Sequence, residues 1–138
     1  MAGIAETRGD GMKRVWLIIV ALAVAGCGGS TVVIETVDAG TASALVVQQG
    51  TVVLDLRTPD EFASGHITGA VNIDFYATDF ADQIGALDRG ARYVVYCRSG
   101  NRSGEAMELF RRLSFTDIHE IDGGILAWTA AGLQTTGG

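Results

Sequence analysis

Short apolar runs alternate with amphipathic segments along most of the chain, which predicts strands interleaved with helices. The runs at 51–56 and 92–97 are almost continuously apolar, as expected for strands in a sheet covered on both faces. Further strands are predicted at 32–36, 70–73 and 117–121. This order favours an α/β domain, with a central, mainly parallel five-stranded sheet and helices on both faces.

The helices are expected between these strands. Asp38 or Thr41 is suited to cap the first, and Gly50 to stop it. The helix predicted from Arg102 carries an apolar stripe at positions i, i+3, i+4 and i+7, formed by Ala106, Leu109, Phe110 and Leu113. Three more helices are predicted. One begins near Pro59, one runs from Thr78 or Asp79 to about Leu87, and the last spans 125–131.

The amino-terminal part has a different pattern. Residues 15–25 form an uncharged apolar run that is shorter than the roughly 20 residues needed to span a bilayer, but suits a signal peptide. Lys13 and Arg14 precede it, and Val24-Ala25-Gly26-Cys27 follows it. This arrangement resembles the lipobox of bacterial lipoproteins. An uncleaved membrane anchor, or a buried helix with a chance cysteine, is the alternative.

The lipobox resemblance implies that residues 1–26 are a signal peptide and that Cys27 carries a diacylglycerol thioether with acyl chains such as palmitate. Residues 27–31 would then be a short tether, and residues 32–138 the folded domain. The protein is expected to be exported and lipid-anchored to a bacterial cell membrane, on its periplasmic or extracytoplasmic face. Because Glu6 and Asp10 do not suit a signal start, translation is expected to begin at Met12.

Composition limits the remaining possibilities. The 138 residues suit one compact domain, and the two cysteines exclude a disulfide-dense scaffold. The formal net charge of −6 argues against nucleic-acid binding. The sequence has no metal-ligand spacing and no glycine-rich phosphate-binding motif, so neither a metal nor a cofactor is expected.

The candidate chemistry lies where a strand meets a helix. Cys97 ends the apolar strand 92–97, and Arg98-Ser99-Gly100-Asn101 leads into the helix at Arg102-Ser103. In parallel α/β folds ligands bind beyond the carboxyl ends of the strands, where loop amides and a helix amino terminus favour an anion. A thiolate is such an anion, which predicts a nucleophilic cysteine with a lowered pKa. A buried structural cysteine is the alternative.

Three segments resemble the rhodanese domain family. Asp55-Leu56-Arg57-Thr58-Pro59-Asp60-Glu61-Phe62, followed by Gly65-His66-Ile67-Thr68-Gly69-Ala70-Val71-Asn72-Ile73, is similar to its amino-terminal signature. Cys97-Arg98-Ser99-Gly100-Asn101-Arg102-Ser103 is similar to its active-site loop, and Asp122-Gly123-Gly124-Ile125-Leu126-Ala127-Trp128 to its carboxyl-terminal signature. The order and spacing also agree, with Thr68 standing where the family usually has proline.

The rhodanese resemblance implies a sulfurtransferase. Cys97 would take a sulfane sulfur from thiosulfate or a similar small anionic donor, form a persulfide, and pass the sulfur to a thiol or to cyanide. Arg98 and Arg102 are the candidates for drawing in the sulfonate group. Ser103, and also Ser99, can donate hydrogen bonds to the sulfur, as can the amides of the loop that contains Gly100 and Asn101.

Two residues near the neighbouring strand are expected to support the loop. Asp55 and Arg57 follow the apolar run at 51–56 and would brace the active-site loop. A pair between Arg57 and Glu61 across one helical turn is the alternative.

Loop length argues against a phosphatase or an arsenate reductase. Cysteine phosphatases place five residues between the cysteine and the arginine, whereas four lie between Cys97 and Arg102 here, and Ser103 occupies the phosphatase arginine position. A persulfide carrier with little turnover of its own is a further alternative. If Cys27 is acylated, no second thiol can resolve the persulfide, so the sulfur must leave to an external acceptor.

Three further residues are assigned structural roles. His66 is expected to stabilise a turn, His119 to face solvent from its strand, and Trp128 to pack in the core.

Overall fold

The computed structural model describes residues 28–138. The predicted signal segment 1–26 and the lipidation site Cys27 lie outside the described residues. The elements follow the chain in the order β1 (Val33–Val37), α1 (Ala39–Val46), β2 (Thr51–Asp55), α2 (Pro59–Ala63), β3 (Val71–Asn72), α3 (Phe80–Gly85), β4 (Arg92–Tyr96), α4 (Asn101–Arg112), β5 (Asp117–Ile121) and α5 (Gly124–Ala130).

The five strands form one sheet in the order β1-β5-β4-β2-β3, and every pairing is parallel. This confirms the α/β prediction. The sheet is entirely parallel because a helix lies between each strand and the next and returns the chain to the same end each time. The carboxyl ends of β2, β4 and β5 therefore lie together at one edge.

Local capping explains where the first two helices begin. Asp38 accepts a hydrogen bond from the amide of Thr41 at 2.8 Å, which makes Asp38 the cap of α1. Thr58 caps α2, and Glu61 completes a capping box by accepting from the Thr58 amide at 3.0 Å. α3 is shorter than predicted from the sequence.

Two apolar layers hold the helices to the sheet. On one face, strand residues pack against α3 and α4 through Leu54, Val95, Ile118, Ile84 and Phe110. On the other face, strand residues pack against α1 and α5 through Val53, Val94, Ile121, Ala42 and Trp128. Trp128 is 5% exposed, so its predicted core role is confirmed.

The prediction that His119 faces solvent is wrong. Its side chain is buried, with Nδ1 3.0 Å from Glu35 and Nε2 2.7 Å from Asp117. The reason is the strand order: β5 lies between β1 and β4, so His119 is flanked by strands on both sides and lies directly opposite Glu35 of β1. A polar residue in an inner strand needs partners, and the two carboxylates supply them.

His66 stabilises a turn, as expected. Its ring stacks on Phe62 with centroids 3.7 Å apart, and Nδ1 contacts the Phe62 carbonyl at 2.9 Å. Its backbone exchanges two hydrogen bonds with Thr136, which ties the carboxyl-terminal segment to the end of α2. Among residues 28–138, none of the helices is both long and apolar enough to cross a lipid bilayer.

Candidate active site

Cys97 is the first residue beyond β4, and its sulfur lies at the base of a short loop that leads into α4. The side chain is almost completely buried. The Gly100 amide donates a hydrogen bond to Sγ at 3.1 Å, and Ser103 Oγ lies 3.3 Å from the same atom. The sulfur is therefore surrounded by donors, as predicted from the strand-to-helix position.

Gly100 permits this loop conformation. Its φ of 97° is in the left-handed region, where residues with a Cβ are strained. A Cβ at this position would lie 3.4 Å from the Gly123 amide nitrogen and 3.5 Å from Glu120 Oε1. Glycine therefore serves both the turn and the close approach of the loop to β5 and to the start of α5.

The first turn of α5 holds the loop from the other side. The amide of Ile125 donates to the Cys97 carbonyl at 2.9 Å, and the amide of Leu126 donates to the Arg98 carbonyl at 3.2 Å. Because the amino-terminal amides of a helix lack partners within the helix, they are free to bind these carbonyls. The Cys97 and Arg98 carbonyls therefore point to α5, while the Gly100 amide faces the sulfur.

The environment of Cys97 favours its thiolate. Burial raises the pKa of the thiol, but hydrogen bonds from the Ser103 hydroxyl and from the amides of Ser103, Gly100 and Ser99 lower it by more. The net pKa is below the ordinary cysteine value. A thiolate at Cys97 would thus be held by neutral donors.

Ser103 joins Cys97 to Glu120, a residue that no sequence motif indicates. Ser103 Oγ lies 2.6 Å from Glu120 Oε1, and both side chains are buried. Glu120 is on β5, far from the loop in sequence. The only signal for it was a carboxylate within a strand expected to belong to a sheet covered by helices.

The two loop arginines have different environments. Arg102 makes a two-pronged ion pair with Glu61, both contacts being 2.8 Å, and its guanidinium lies 5.5 Å from the ring centroid of Tyr76. Arg98 is exposed, and no ion pair to it is found within residues 28–138. Ser99 and Asn101 are exposed around the same loop.

The ion pair with Arg102 lowers the pKa of the Glu61 carboxyl group. The hydrogen bond from Arg102 lowers the pKa of Glu61 to about 2, against a smaller opposing effect of burial and with help from Thr58. The pair joins the first turn of α2 to the start of α4. It therefore connects the two segments that border the loop.

Asp55 and Arg57 form a separate buried pair. Arg57 Nη2 lies 2.6 Å from Asp55 Oδ2 and 2.7 Å from the Gly65 carbonyl oxygen. The alternative pair between Arg57 and Glu61 is therefore wrong, because Arg57 turns inward while Glu61 faces α4. The Arg57 guanidinium also lies 5.6 Å from the ring centroid of Tyr96, the residue before Cys97. The pair thus braces the end of β4 through Tyr96.

Other candidate sites contribute nothing to this chemistry. An apolar pocket between α1 and α5 is lined by Val46, Ile67, Trp128 and Leu133, among others, and contains no residue of the loop 97–103. Within the part of the chain that the structure describes, no group of three or more His, Cys, Asp or Glu side chains is suited to hold a metal ion.

Comparisons with known proteins agree on one family. Residues 38–131 match the family described as "Rhodanese-like domain". The chain is 41% identical over 81 residues to the thiosulfate sulfurtransferase GlpE of Pseudomonas aeruginosa, a match that covers 59% of this chain and 72% of that protein. It is 40% identical over 83 residues to GlpE of Pseudomonas putida, covering 60% and 74% of the two chains.

Solved structures give the same result. A rhodanese-related protein from Thermoplasma volcanium superposes with a TM-score of 0.66 at 28% identity, covering 74% of this chain and 97% of that chain. A thiosulfate sulfurtransferase from Pseudomonas aeruginosa superposes with a TM-score of 0.64 at 33% identity, covering 78% of this chain and 20% of that chain.

Proposed function

The chain belongs to the rhodanese-like domain family, and on this premise we propose that it is a sulfurtransferase that uses thiosulfate or a similar small anionic sulfur donor. The observation that carries the proposal is the buried Cys97 sulfur, which receives hydrogen bonds from Gly100 and Ser103. The likeness to relatives named thiosulfate sulfurtransferase supports the choice of donor.

In the first step the Cys97 thiolate attacks the outer sulfur of thiosulfate. A bond forms between Sγ and that sulfur, and the sulfur–sulfur bond of thiosulfate breaks. Sulfite leaves with the electron pair, and a persulfide anion remains on Cys97. The negative charge of this anion is on the outer sulfur, one bond beyond Sγ, and the loop amides that lower the Cys97 pKa are the donors suited to stabilise it.

In the second step an acceptor removes the outer sulfur. Cyanide or a thiolate attacks it, the persulfide bond breaks, and the Cys97 thiolate is regenerated with thiocyanate or an acceptor persulfide as the product. Cys97 is the one cysteine among residues 28–138, so this domain offers no second thiol to resolve the persulfide. The acceptor is therefore external.

Arg98 is the stronger candidate for attracting the sulfonate group of the donor. Its side chain is exposed beside the loop, whereas the guanidinium of Arg102 already binds both oxygens of Glu61. Arg102 is better suited to hold the start of α4 in place. We therefore assign Arg98 to donor capture and Arg102 to support of the loop.

The direct test is the intact mass of the protein after thiosulfate treatment, combined with measurement of released sulfite and of thiocyanate formed from cyanide. We expect a gain of one sulfur atom, catalytic sulfite release, and loss of both in Cys97→Ser. Cys27→Ser is the matched control and should retain both. A persulfide without turnover would instead identify a sulfur carrier, and hydrolysis of a phosphate ester without sulfur uptake would contradict the proposal.

We also propose that Cys27 is lipidated and that the mature domain is held at a bacterial membrane. The support is the run of apolar residues at 15–25, whose last two residues begin the sequence Val24-Ala25-Gly26-Cys27. Mass spectrometry of the protein made in a bacterium should find a diacylglycerol adduct on an amino-terminal Cys27, and no adduct in Cys27→Ser. Precursor peptides from residues 1–11 would contradict a start at Met12.

A further inference from the structure

Glu120 is a buried carboxylate whose side chain reaches the back of the catalytic loop. It lies on β5, with Thr36 beside it on β1 and Val95 beside it on β4. Only 3% of the residue is exposed. Its closest polar contact is Ser103 Oγ on α4, at 2.6 Å.

Ser103 stands between two groups that compete for its single hydroxyl proton. Cys97 Sγ lies 3.3 Å away on one side, and Glu120 Oε1 lies 2.6 Å away on the other. If Glu120 is ionised, the short contact requires the serine to donate to it, which leaves only an oxygen lone pair facing the sulfur. If Glu120 is protonated, it donates to the serine, and the hydroxyl proton is free for the sulfur.

We propose that Glu120 is a positioning residue for sulfur transfer: protonated, it directs the Ser103 hydroxyl onto the Cys97 sulfur, and ionised, it withdraws that hydrogen bond. The role of Glu120 in sulfur transfer rests on the function proposed for Cys97, whereas its effect on the Cys97 thiol does not. No external proton donor or acceptor is needed. The pair holds one proton both when Cys97 is a thiol and Glu120 a carboxylate, and when Cys97 is a thiolate and Glu120 a carboxylic acid.

The surroundings of Glu120 favour its protonated form. Burial raises its pKa and so does the neighbouring charge of Asp122, whereas hydrogen bonds from Ser103 and Thr36 oppose them. The titratable groups that face Glu120 are Cys97 across Ser103 and Asp122 at the end of its own strand. Its partners on β1 and β4 do not titrate, and Arg102, the neighbour of Ser103 on α4, is paired with Glu61.

Cys97 and Glu120 are therefore expected to titrate as a coupled pair. The first proton to leave is shared between the two sites, and the second leaves only at higher pH because it adds a second buried negative charge. Thiolate formation should then show two inflections with pH.

The test follows the ultraviolet absorbance of the thiolate against pH in the full-length chain carrying Cys27→Ser, so that Cys97 is its only cysteine. We expect two inflections in this parent protein. Glu120→Gln should give a single inflection, about 1 pH unit below the upper inflection of the parent, because the amide cannot ionise and leaves the Ser103 hydroxyl to the sulfur. Asp122→Asn is the matched control: it removes one nearby carboxylate with no contact to Ser103, and should keep both inflections.

A double-mutant cycle separates the hydrogen bond from the charge. In a Ser103→Ala background, Glu120→Gln should change the Cys97 pKa no more than Asp122→Asn does, because the connecting hydroxyl is absent. An effect of Glu120→Gln that is unchanged by loss of Ser103, or a parent curve with one inflection, would overturn the inference.

If Glu120→Gln does not fold, unmodified side chains provide the same test. Carbon NMR of glutamate labelled at the carboxyl group should show one glutamate that titrates at raised pH and shares both inflections with the thiolate. Ionisation of every glutamate before thiolate forms would overturn the inference. The titrations need no sulfur donor, so absence of sulfite release would reject the proposed function while leaving this result to stand.

Discussion

Ile125 donates its backbone N–H to the carbonyl of Cys97 across 2.9 Å, so the first turn of α5 holds the residue to which we assign the reacting sulfur. The hydrogen bond joins the carboxyl-terminal segment of the domain to the loop 97–103. It depends on Gly124, which lets the start of α5 approach the backbone of Cys97 and Arg98 closely.

Gly124→Ala is expected to displace the loop. Its Cβ would lie 2.7 Å from both the carbonyl carbon and the carbonyl oxygen of Arg98, and φ at this position is 58°. These are backbone atoms, so no flexible side chain can move aside. We expect a loss of about 2–4 kcal/mol in the free energy of unfolding and a large loss of sulfur transfer, measured by chemical denaturation and sulfite release.

Gly104→Ala provides the control for that substitution. Gly104 is an exposed residue of α4, and nothing lies within 4 Å of where its Cβ would be. Alanine should therefore stabilise the helix by about 0.5–1 kcal/mol and leave turnover intact. Equal effects of the two substitutions would contradict the role assigned to Gly124.

Glu61→Gln is expected to remove a stabilising charge interaction that depends on pH. Because the folded pKa of Glu61 is about 2 and the ordinary value is 4.5, the stabilisation is present above about pH 4.5 and is lost as the pH falls towards 2. We expect the variant to be less stable by about 1–2 kcal/mol at neutral pH. Glutamine can still accept from Thr58, so the cap of α2 is retained.

The measurement for Glu61 is the free energy of unfolding of wild type and variant from pH 7 downwards. The difference between them should be constant above about pH 5 and shrink below it. A difference that does not change with pH would mean that the charge of Glu61 contributes nothing to stability.

Arg98→Gln is expected to weaken capture of the anionic donor. Removing an exposed cation beside the loop should raise the KM for thiosulfate about three- to tenfold with a smaller change in kcat, and added salt should reduce the difference. Arg112→Gln, an exposed arginine at the far end of α4, changes the net charge equally and should leave KM unaltered. If both variants raised the KM equally, Arg98 would act only through the net charge of the protein and not through its position beside the loop.

His119→Gln is expected to affect stability alone. Glutamine cannot reach both Glu35 and Asp117 in the way that the imidazole does, which should cost about 1–2 kcal/mol in the free energy of unfolding. His119 faces the opposite side of the sheet from Glu120, its neighbour in the strand. Turnover at saturating thiosulfate should therefore equal that of wild type, and a selective loss of turnover would contradict this assignment.

The alternation of strands and helices, the position of Cys97 at the end of a strand, and the loop that follows it could all be predicted from the amino-acid sequence. These features depend on local patterns: apolar runs, capping residues such as Asp38 and Thr58, and a glycine at the turn. For the same reason the sequence also indicated the anion-binding character of the loop, since a strand end, glycine and helix start are neighbours along the chain.

The contacts between distant side chains could be seen only once the elements were packed together. Strand order placed β5 inside the sheet, which buried His119 and brought Glu120 beneath Ser103. Because α2 packs beside the start of α4, Glu61 pairs with Arg102 and not with Arg57. These contacts join residues that are far apart in the chain, and their geometry is set by how whole elements pack, which no local pattern encodes.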